Sequence, residues 1–276
     1  MKNVVITGCS SGIGYSAALT LHAKGYNVLA TTRKLIDAKP LQELGISCVN
    51  LDLNDSQSII EAISYANDYF NGKIDVLFNN AAYGQPGAVE DLKRSVLREQ
   101  FETNVFGTQE LTNLVIAMMR KQGQGRIIYN SSVLGIISLP YRGAYNASKY
   151  AIEGLADTLR LELFNTNIHI SLIEPGPITS QFRANAFSKF QQHIDKKTSA
   201  HQHTYKGMEA RLTKVGPAAP FTLPPEAVIN KLLHAIESPR PKIRYYVTFP
   251  TYLLATLKRL LPHPCLDWVL RKVSDG

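Results

Sequence analysis

The hydrophobic positions of this chain form short, nearly continuous runs, separated by longer segments in which apolar residues recur with helical spacing. The short runs predict seven strands at residues 4–7, 27–32, 47–53, 75–79, 126–130, 169–174 and 244–249. The longer segments predict helices that begin near Ser11, Ser56, Arg94, Asn104, Ala144 and Pro225. Near-continuous apolar strands that alternate with helices are typical of a parallel sheet covered on both faces. The pattern therefore predicts an α/β fold with a doubly wound parallel sheet of about seven strands.

The alternation stops after Pro177. Residues 179–223 are mostly polar and contain scattered aromatic side chains, and we interpret them as an excursion with short helices that forms a substrate lid. Residues 250–276 predict a helical C-terminal extension, with helices at 252–261 and 265–273. We interpret the whole chain, 1–276, as a single domain that contains both segments.

The composition fits one soluble domain, because 276 residues with 45% hydrophobic and 19% charged positions can bury a sizeable core. No run approaches the roughly 18–20 apolar residues of a membrane span, and the first strand begins too early for a signal peptide. These features predict a cytoplasmic location. The cysteines and the lid histidines have no metal-ligand spacing, so we expect no metal; they are Cys9, Cys48, Cys265, His193, His201 and His203.

The formal net charge is +8, and basic residues are concentrated in the last sixth of the chain. We interpret this charge as a solvated surface, with a weak contact to acidic lipid or to another acidic partner as the open alternative. No nucleic-acid module is recognisable, and we expect no nucleic-acid partner. The apolar C-terminal segment covers the core, joins a homodimer or rests on a membrane, and we favour the first of these.

A glycine-rich turn, Thr7-Gly8-Cys9-Ser10-Ser11-Gly12-Ile13-Gly14, lies between the first predicted strand and the first predicted helix. Glycines let a backbone approach a pyrophosphate closely, and a helix N-terminus supplies N–H donors and partial positive charge. The position of the turn therefore predicts dinucleotide binding. Ser10 and Ser11 either cap the helix or contact phosphate, and the two roles are compatible.

Tyr145 and Lys149 are four residues apart in a predicted helix, so their side chains share a face. A nearby ammonium favours the phenolate form of a tyrosine and brings proton exchange closer to neutral pH. The spacing is common by chance, but here Asn104 and Ser132 precede it in order. Ser131 points to the opposite side if the strand continues, which favours Ser132 as the reactive serine.

Together, the glycine turn, Asn79-Asn80-Ala81, the Tyr-x-x-x-Lys pair and Pro175-Gly176 resemble the short-chain dehydrogenase/reductase family from Val4 to about Ser180. The segment Glu174-Pro175-Gly176-Pro177-Ile178 is similar to the branch of compact members that includes 17β-hydroxysteroid dehydrogenases, retinol dehydrogenases and bacterial aldehyde reductases. The resemblance implies a Rossmann fold and hydride transfer between a nicotinamide cofactor and a carbonyl or alcohol.

The resemblance also implies roles for individual residues. In the catalytic set, Ser132 binds the substrate oxygen, Tyr145 is the acid/base, Lys149 lowers the pKa of the tyrosine and binds the nicotinamide ribose, and Asn104 holds a water in a proton relay. The residues implied to bind cofactor are Gly8, Ser10, Ser11, Gly12, Ile13, Gly14, Arg33, Asp52, Asn79, Ala81, Tyr145, Lys149, Pro175, Gly176, Ile178 and Ser180.

The end of the second predicted strand favours NADP(H). Enzymes that use NAD often have an acid there for the ribose 2′-hydroxyl, but no Asp or Glu occurs between Tyr26 and Asp37. Arg33 stands at this position, and a guanidinium can bind a 2′-phosphate through two oxygens. The alternative is that Arg33 is a solvated charge at a strand end.

The predicted function is an NADP(H)-dependent carbonyl reductase that also works in the direction of oxidation. Aromatic residues in the lid suit a small hydrophobic aldehyde, ketone, steroid or retinoid. A catalytically silent NADP(H)-binding redox sensor and a sugar-nucleotide epimerase are the alternatives. The retained Tyr145 and Lys149 argue against the sensor, and the glycine spacing argues against the epimerase.

Overall fold

The computed structural model describes residues 1–217 and 219–275; Ala218 of the predicted lid and Gly276 of the predicted C-terminal extension lie outside the described residues. The strands form one parallel sheet in the order β3-β2-β1-β4-β5-β6-β7. They are β1 (Asn3–Ile6), β2 (Asn27–Thr32), β3 (Ser47–Asn50), β4 (Val76–Asn79), β5 (Gly125–Asn130), β6 (Ile168–Glu174) and β7 (Arg244–Tyr246). The predicted doubly wound α/β fold is confirmed.

The helices connect and flank these strands. They are α1 (Gly12–Ala23), α2 (Lys39–Gln42), α3 (Ser56–Tyr69), α4 (Arg94–Phe101), α5 (Thr108–Gln122), α6 (Gly143–Glu162), α7 (Phe182–His193), α8 (Gln202–Thr213), α9 (Glu226–Glu237), α10 (Phe249–Leu260) and α11 (His263–Asp275). Both helices predicted beyond the last strand are present. In the part of the chain that the structure describes, no helix is long and apolar enough to cross a bilayer.

The core has two apolar layers, one on each face of the sheet. On one face, α3, α5 and α6 contribute buried side chains such as Ile59, Leu111 and Ile152. On the other face, α1 and α9 contribute side chains such as Leu21 and Leu232. Burial on both faces explains why the strand segments are almost uniformly apolar.

β1 and β4 are neighbours at the centre of the sheet. From β1 the sheet continues in one direction to β2 and β3, and from β4 it continues in the other direction to β5, β6 and β7, so the strand order reverses between β1 and β4. In open parallel sheets, ligands bind outside the carboxyl ends of the strands at such a switch point. The glycine-rich turn follows β1 and the Asn79-Asn80-Ala81 run begins at the end of β4, so both border this crevice.

Two predicted helices are one continuous segment. α4 and α5 are joined by a π-helical turn at Glu102–Gly107, where separate helices near Arg94 and Asn104 were expected. A Cβ on Gly107 would lie 1.8 Å from the carbonyl oxygen of Leu53, so only glycine allows this close packing. The turn aligns Asn104 differently from an ordinary helix, and π turns are often found at functional sites.

Two predicted strands end early. β3 stops at Asn50 because Asp52 forms a local turn, in which its Oδ1 accepts a hydrogen bond from the backbone N–H of Asn54 at 3.0 Å. β7 stops at Tyr246 because α10 begins at Phe249 with Pro250 in its first turn.

Candidate active site

The backbone of the glycine-rich turn after β1 is tightly folded and packs closely against itself and its neighbours. Gly8 and Gly12 have φ values of 72° and 58°, which favour glycine. A Cβ on Gly14 would lie 2.2 Å from the carbonyl oxygen of Gly8. Ser11 occupies the N-cap position of α1 but makes no side-chain capping bond, and the first turn has no acidic residue. The hydroxyl of Ser11 and the N-terminus of α1 are therefore suited to bind an anion.

Two distant segments pack directly against this turn. A Cβ on Gly8 would lie 2.9 Å from the Cα of Ala81, and a Cβ on Gly12 would lie 3.0 Å from the Cβ of Ser180. Asn80 ties the segments together, because its Nδ2 donates to the carbonyl oxygen of Thr7 at 2.9 Å. The structure thus brings together the predicted cofactor residues from the loops after β1, β4 and β6.

The segment after β6 continues along the crevice. The backbone N–H of Val133 donates to the carbonyl oxygen of Pro175 at 2.8 Å. Gly176 passes so close to Thr248, the residue before α10, that a Cβ on Gly176 would lie 2.1 Å from the Oγ1 of Thr248. Ile178 forms an isolated parallel bridge with Leu223. These contacts hold Pro175, Gly176 and Ile178 in one extended path.

The remaining predicted cofactor residues lie around the outer crevice. Arg33 is exposed directly after β2, and its carbonyl oxygen accepts a hydrogen bond from the Nδ2 of Asn50 at 2.8 Å. Asp52 is partly buried in its turn after β3. Asn79 differs, because its side chain is buried and its Nδ2 donates to the Oγ1 of Thr112 at 2.8 Å. The side-chain nitrogen of Asn79 is therefore engaged with α5.

Tyr145 and Lys149 share one face of α6, as the spacing predicted. The Nζ of Lys149 lies 5.6 Å from the centroid of the Tyr145 ring and donates to the carbonyl oxygen of Asn130 at 2.7 Å. Ser132 follows β5, and its Oγ accepts from the backbone N–H of Leu134 at 3.1 Å. Ser131 faces the other way, into the protein interior. Three of the four predicted catalytic residues thus meet at the end of β5.

Burial controls the acidities of this pair. It raises the pKa of the Tyr145 hydroxyl above its ordinary value, while hydrogen bonding with Ser132 acts in the opposite direction. Burial also lowers the pKa of Lys149 to about 8, and the nearby Glu153 carboxylate opposes that shift. Desolvation of the phenolate outweighs the hydrogen bond with Ser132, so burial opposes the lowering of the Tyr145 pKa that we expected from Lys149.

Asn104 lies in the π turn and is 2% exposed. Its Nδ2 donates to the carbonyl oxygen of Tyr83 and to the Oγ of Ser148, both at 3.0 Å, and its Oδ1 accepts from the N–H of Tyr83. The asparagine therefore connects the loop after β4 to the helix that carries Tyr145 and Lys149. Its direct partners are Tyr83 and Ser148, not Lys149.

The sequence reasoning missed a buried ionic cluster behind Lys149. Arg244 on β7 forms ion pairs with Glu153 and Asp157 on α6 and with Glu174 at the end of β6. Glu174 is completely buried, and burial followed by the charge of Glu153 raises its pKa to about 8. The position of Glu153, four residues after Lys149 on one helix face, was a signal that could have identified it.

The start of α7 covers Tyr145. The ring of Phe182 meets the ring of Tyr145 edge to face with centroids 5.2 Å apart. Gly84 makes room for it, because a Cβ there would lie 2.7 Å from the tip of Phe182. Below these rings, an apolar cluster joins α6, α7 and α8 through Ala144, Ala186 and Leu212, among others. Sequence reasoning identified the aromatic segment but not this contact.

Polar side chains also attach α7 to the loop after β4. The Nδ1 of His193 hydrogen-bonds the Oε1 of Gln85 at 2.8 Å. The buried Gln100, on α4, hydrogen-bonds the backbone of the same loop. His201 pairs with Glu90 at 2.5 Å. Each of these two histidines is partly buried and has a hydrogen-bonding partner. Among residues 1–217 and 219–275, no group of His, Cys, Asp or Glu is arranged to hold a metal ion.

Residues 2–191 match the family described as short chain dehydrogenase. The chain is 41% identical over 270 residues to the uncharacterized oxidoreductase YbbO of Escherichia coli (strain K12), which covers 98% of this chain and 94% of that protein. It is 32% identical to the NADPH-dependent 3-dehydrocapnine reductase of Ornithobacterium rhinotracheale, in a match that covers 99% of this chain and 97% of that protein. It is 31% identical to human retinol dehydrogenase 8, in a match that covers 93% of this chain and 85% of that protein.

Solved structures share the fold. A short chain dehydrogenase/reductase from Burkholderia phymatum, in complex with NAD, matches with a TM-score of 0.78 over 100% of this chain and 97% of that chain. The two sequences are 24% identical. At this identity, the match supports the architecture and carries no assignment of cofactor or substrate.

Proposed function

This chain belongs to the short chain dehydrogenase family, and we propose that it is an NADP(H)-dependent oxidoreductase that interconverts a carbonyl and an alcohol group on a small hydrophobic substrate. The observation that carries the proposal is the meeting of Tyr145, Ser132 and Lys149 beside the glycine-rich turn. A hydroxyl acid, a second hydroxyl donor and a nearby ammonium suit proton transfer to a substrate oxygen that gains negative charge.

Each residue of this group has a distinct part in the proposal. The raised pKa keeps Tyr145 protonated at neutral pH, as a proton donor for carbonyl reduction must be. The Ser132 hydroxyl donates a hydrogen bond to the same substrate oxygen. The Lys149 ammonium stabilises negative charge on Tyr145 after it gives up its proton, and Asn104 positions α6 through Ser148.

The crevice suits a dinucleotide because it lies at the carboxyl ends of β1 and β4, where the strand order reverses. Gly8, Gly12 and Gly14 let the turn pack tightly against the loops that border this crevice. When bound, the nicotinamide cofactor supplies or accepts the hydride. Ser10, Ser11 and Ile13 would hold its phosphates at the N-terminus of α1. The exposed guanidinium of Arg33 favours a 2′-phosphate, and one relative at 32% identity is described as NADPH-dependent.

We assign the substrate to the space beneath residues 179–223, which we propose act as a lid. The support is the apolar cluster under α7 and α8 together with the contact of Phe182 with Tyr145. Such walls favour an aldehyde, a ketone, a steroid or a retinoid over a polar sugar. Human retinol dehydrogenase 8, at 31% identity, carries the name of a hydrophobic alcohol substrate.

The Tyr145→Phe variant tests the proton-donor assignment. We expect kcat for NADPH-dependent reduction of a panel of aldehydes, ketones, steroids and retinoids to fall about 10²–10⁴-fold, because the general acid is lost. The NADPH dissociation constant should stay within about twofold, since the ring remains. Tyr150→Phe on the same helix is the matched control and should keep normal turnover. Normal turnover by Tyr145→Phe would reject the assignment.

A further inference from the structure

The segment proposed as a lid is strongly basic. Residues 179–223 contain seven Lys and Arg residues against two acids, Asp195 and Glu209. Both acids already have partners, because Asp195 accepts hydrogen bonds from Thr198 and Lys197 and Glu209 pairs with Lys196 at 2.5 Å. The remaining positive charge of this segment is not neutralised by its own acids.

Arg142 adds to this charge from the other side. It occupies the N-cap position of α6, three residues before Tyr145, so the two side chains leave the same end of the helix. Its Nη1 is shielded from solvent and has no hydrogen-bond partner among the described residues. A buried guanidinium nitrogen without an acceptor is costly, and native proteins rarely leave one.

Arg211 on α8 lies close enough to Arg142 to affect it electrostatically. Burial, followed by the charge of Arg211, lowers the pKa of Arg142 to about 9, so the group stays charged at neutral pH. Burial and the charge of Arg183 similarly lower the pKa of Arg211. The ion pairs of the described residues involve Arg160 and Arg244, but neither Arg142 nor Arg211.

Arg183 binds the segment that follows α8. Its Nη2 donates to the carbonyl oxygens of Lys214 and Gly216, both at 2.7 Å, just beyond the end of α8. The contact fixes the helix end that carries Arg211 and keeps a third positive charge nearby. Tyr141 and Leu212, the neighbours of Arg142 and Arg211 in sequence, belong to the same apolar cluster under the lid.

We propose that Arg142 and Arg211 bind an anionic group of the substrate, so that the preferred substrate is an amphiphile with an apolar body and a carboxylate, phosphate or sulfonate head. Assigning the ligand as substrate rests on the function proposed above. Two guanidinium groups can offer paired N–H donors to such an oxyanion, which would satisfy the unpaired Nη1 and relieve the repulsion between the arginines. The apolar cluster beside them would hold the body of the molecule.

Binding without turnover tests the anion site directly. With NADPH present, calorimetric titration should give octanoate at least about tenfold tighter binding than octanamide, which has the same shape but no charge. Arg142→Gln and Arg211→Gln should each weaken octanoate binding about tenfold and leave octanamide binding within about twofold. Arg142→Lys, which keeps the charge but not the planar fork, should recover part of the affinity. Octyl phosphate and octanesulfonate, titrated in parallel, rank the head groups.

The control is Arg98→Gln, an exposed arginine on α4, which should bind octanoate as the unaltered protein does. Equal affinity for octanoate and octanamide, or unchanged octanoate binding in both glutamine variants, would overturn the proposal. A parallel loss of NADPH affinity in these variants would assign the charges to the cofactor and overturn it as well.

Turnover separates this inference from the proposed function. The matched pair is 8-oxo-octanoate and its methyl ester, and we expect kcat/KM to favour the carboxylate by about tenfold and this preference to disappear in Arg211→Gln. If both aldehydes are reduced equally well and octanoate shows no preference, the anion site is wrong and the reductase stands. If octanoate binds preferentially but no carbonyl compound is reduced, the anion site stands and the reductase is wrong.

Discussion

The ammonium of Lys149 donates a 2.7 Å hydrogen bond to the carbonyl oxygen of Asn130, the last residue of β5. The bond attaches α6 to the strand end from which Ser132 projects two residues later. Because its acceptor is a backbone atom, the position of the ammonium depends on the sheet and not on a mobile side chain. The distance between the helix that carries Tyr145 and the segment that carries Ser132 is therefore set by the fold.

The pKa of Lys149 predicts how activity depends on pH. Burial lowers this pKa to about 8, so the ammonium is present below that pH and is lost above it. Tyr145, with its pKa raised by burial, stays protonated over the same range. We expect kcat/KM for carbonyl reduction to decline above about pH 8, approaching tenfold per pH unit. In Lys149→Arg, the pH at which kcat/KM begins to decline should rise by more than about one pH unit. A kcat/KM of the unaltered enzyme that does not change with pH would contradict the prediction.

Arg33 is expected to discriminate between the two cofactors. Arg33→Ala should raise the dissociation constant of NADPH about 10–100-fold, because a charge-assisted contact to the 2′-phosphate is lost. The constant for NADH should change by less than about twofold. Fluorescence titration with both cofactors measures the difference, and Arg94→Ala, an exposed arginine elsewhere, serves as the control. Equal losses for NADPH and NADH would reject this role.

Gly14 and Gly154 offer a matched pair of glycine substitutions. A Cβ at Gly14 would meet the carbonyl oxygen of Gly8 at 2.2 Å, so Gly14→Ala should distort the turn and lower NADPH affinity more than about tenfold. Gly154 lies within α6, and an added Cβ would have no atom within 4 Å apart from its chain neighbours and the backbone of its own helix. Gly154→Ala should leave NADPH affinity unchanged and raise the free energy of unfolding by about 0.5–1 kcal/mol. Unimpaired NADPH binding by Gly14→Ala would be inconsistent with the close approach.

Glu174 is expected to make stability depend on pH. Its folded pKa is raised to about 8 by burial and the neighbouring Glu153, well above the value of about 4.3 in an unfolded chain. Between these values the folded protein binds more protons, so the free energy of unfolding should fall as pH rises from about 4.5 to about 8.

Glu174→Gln removes this titrating group and should reduce the pH-dependent decrease in the free energy of unfolding by about 1–3 kcal/mol. Urea unfolding at about pH 5 and about pH 8 measures this decrease. Some dependence should remain, because burial also raises the pKa of Glu153. Glu43→Gln, an exposed control, should keep the full dependence. An equally steep fall in Glu174→Gln would show that another group is responsible.

The sequence by itself determined the sheet, the helices and the order of the site motifs. Apolar runs mark strands buried on both faces, and the glycine turn after the first strand indicates the crevice, because these signals arise from neighbouring residues along the chain. The four-residue spacing of Tyr145 and Lys149 likewise specifies a shared helix face. Boundaries were less accurate where a side chain forms a local turn after a strand, as Asp52 does, or where a π turn joins two helices at Glu102–Gly107.

Only the tertiary structure decided which distant side chains meet. Phe182 covers Tyr145, Arg244 joins Glu153 to Glu174, and the charge of Arg211 acts on Arg142, although each set comes from segments far apart in the chain. Such contacts depend on how whole helices and strands pack and on which charges packing removes from water. A local pattern of polar and apolar residues carries no record of either, so the buried ionic cluster and the unpaired arginines appear only once the chain has folded.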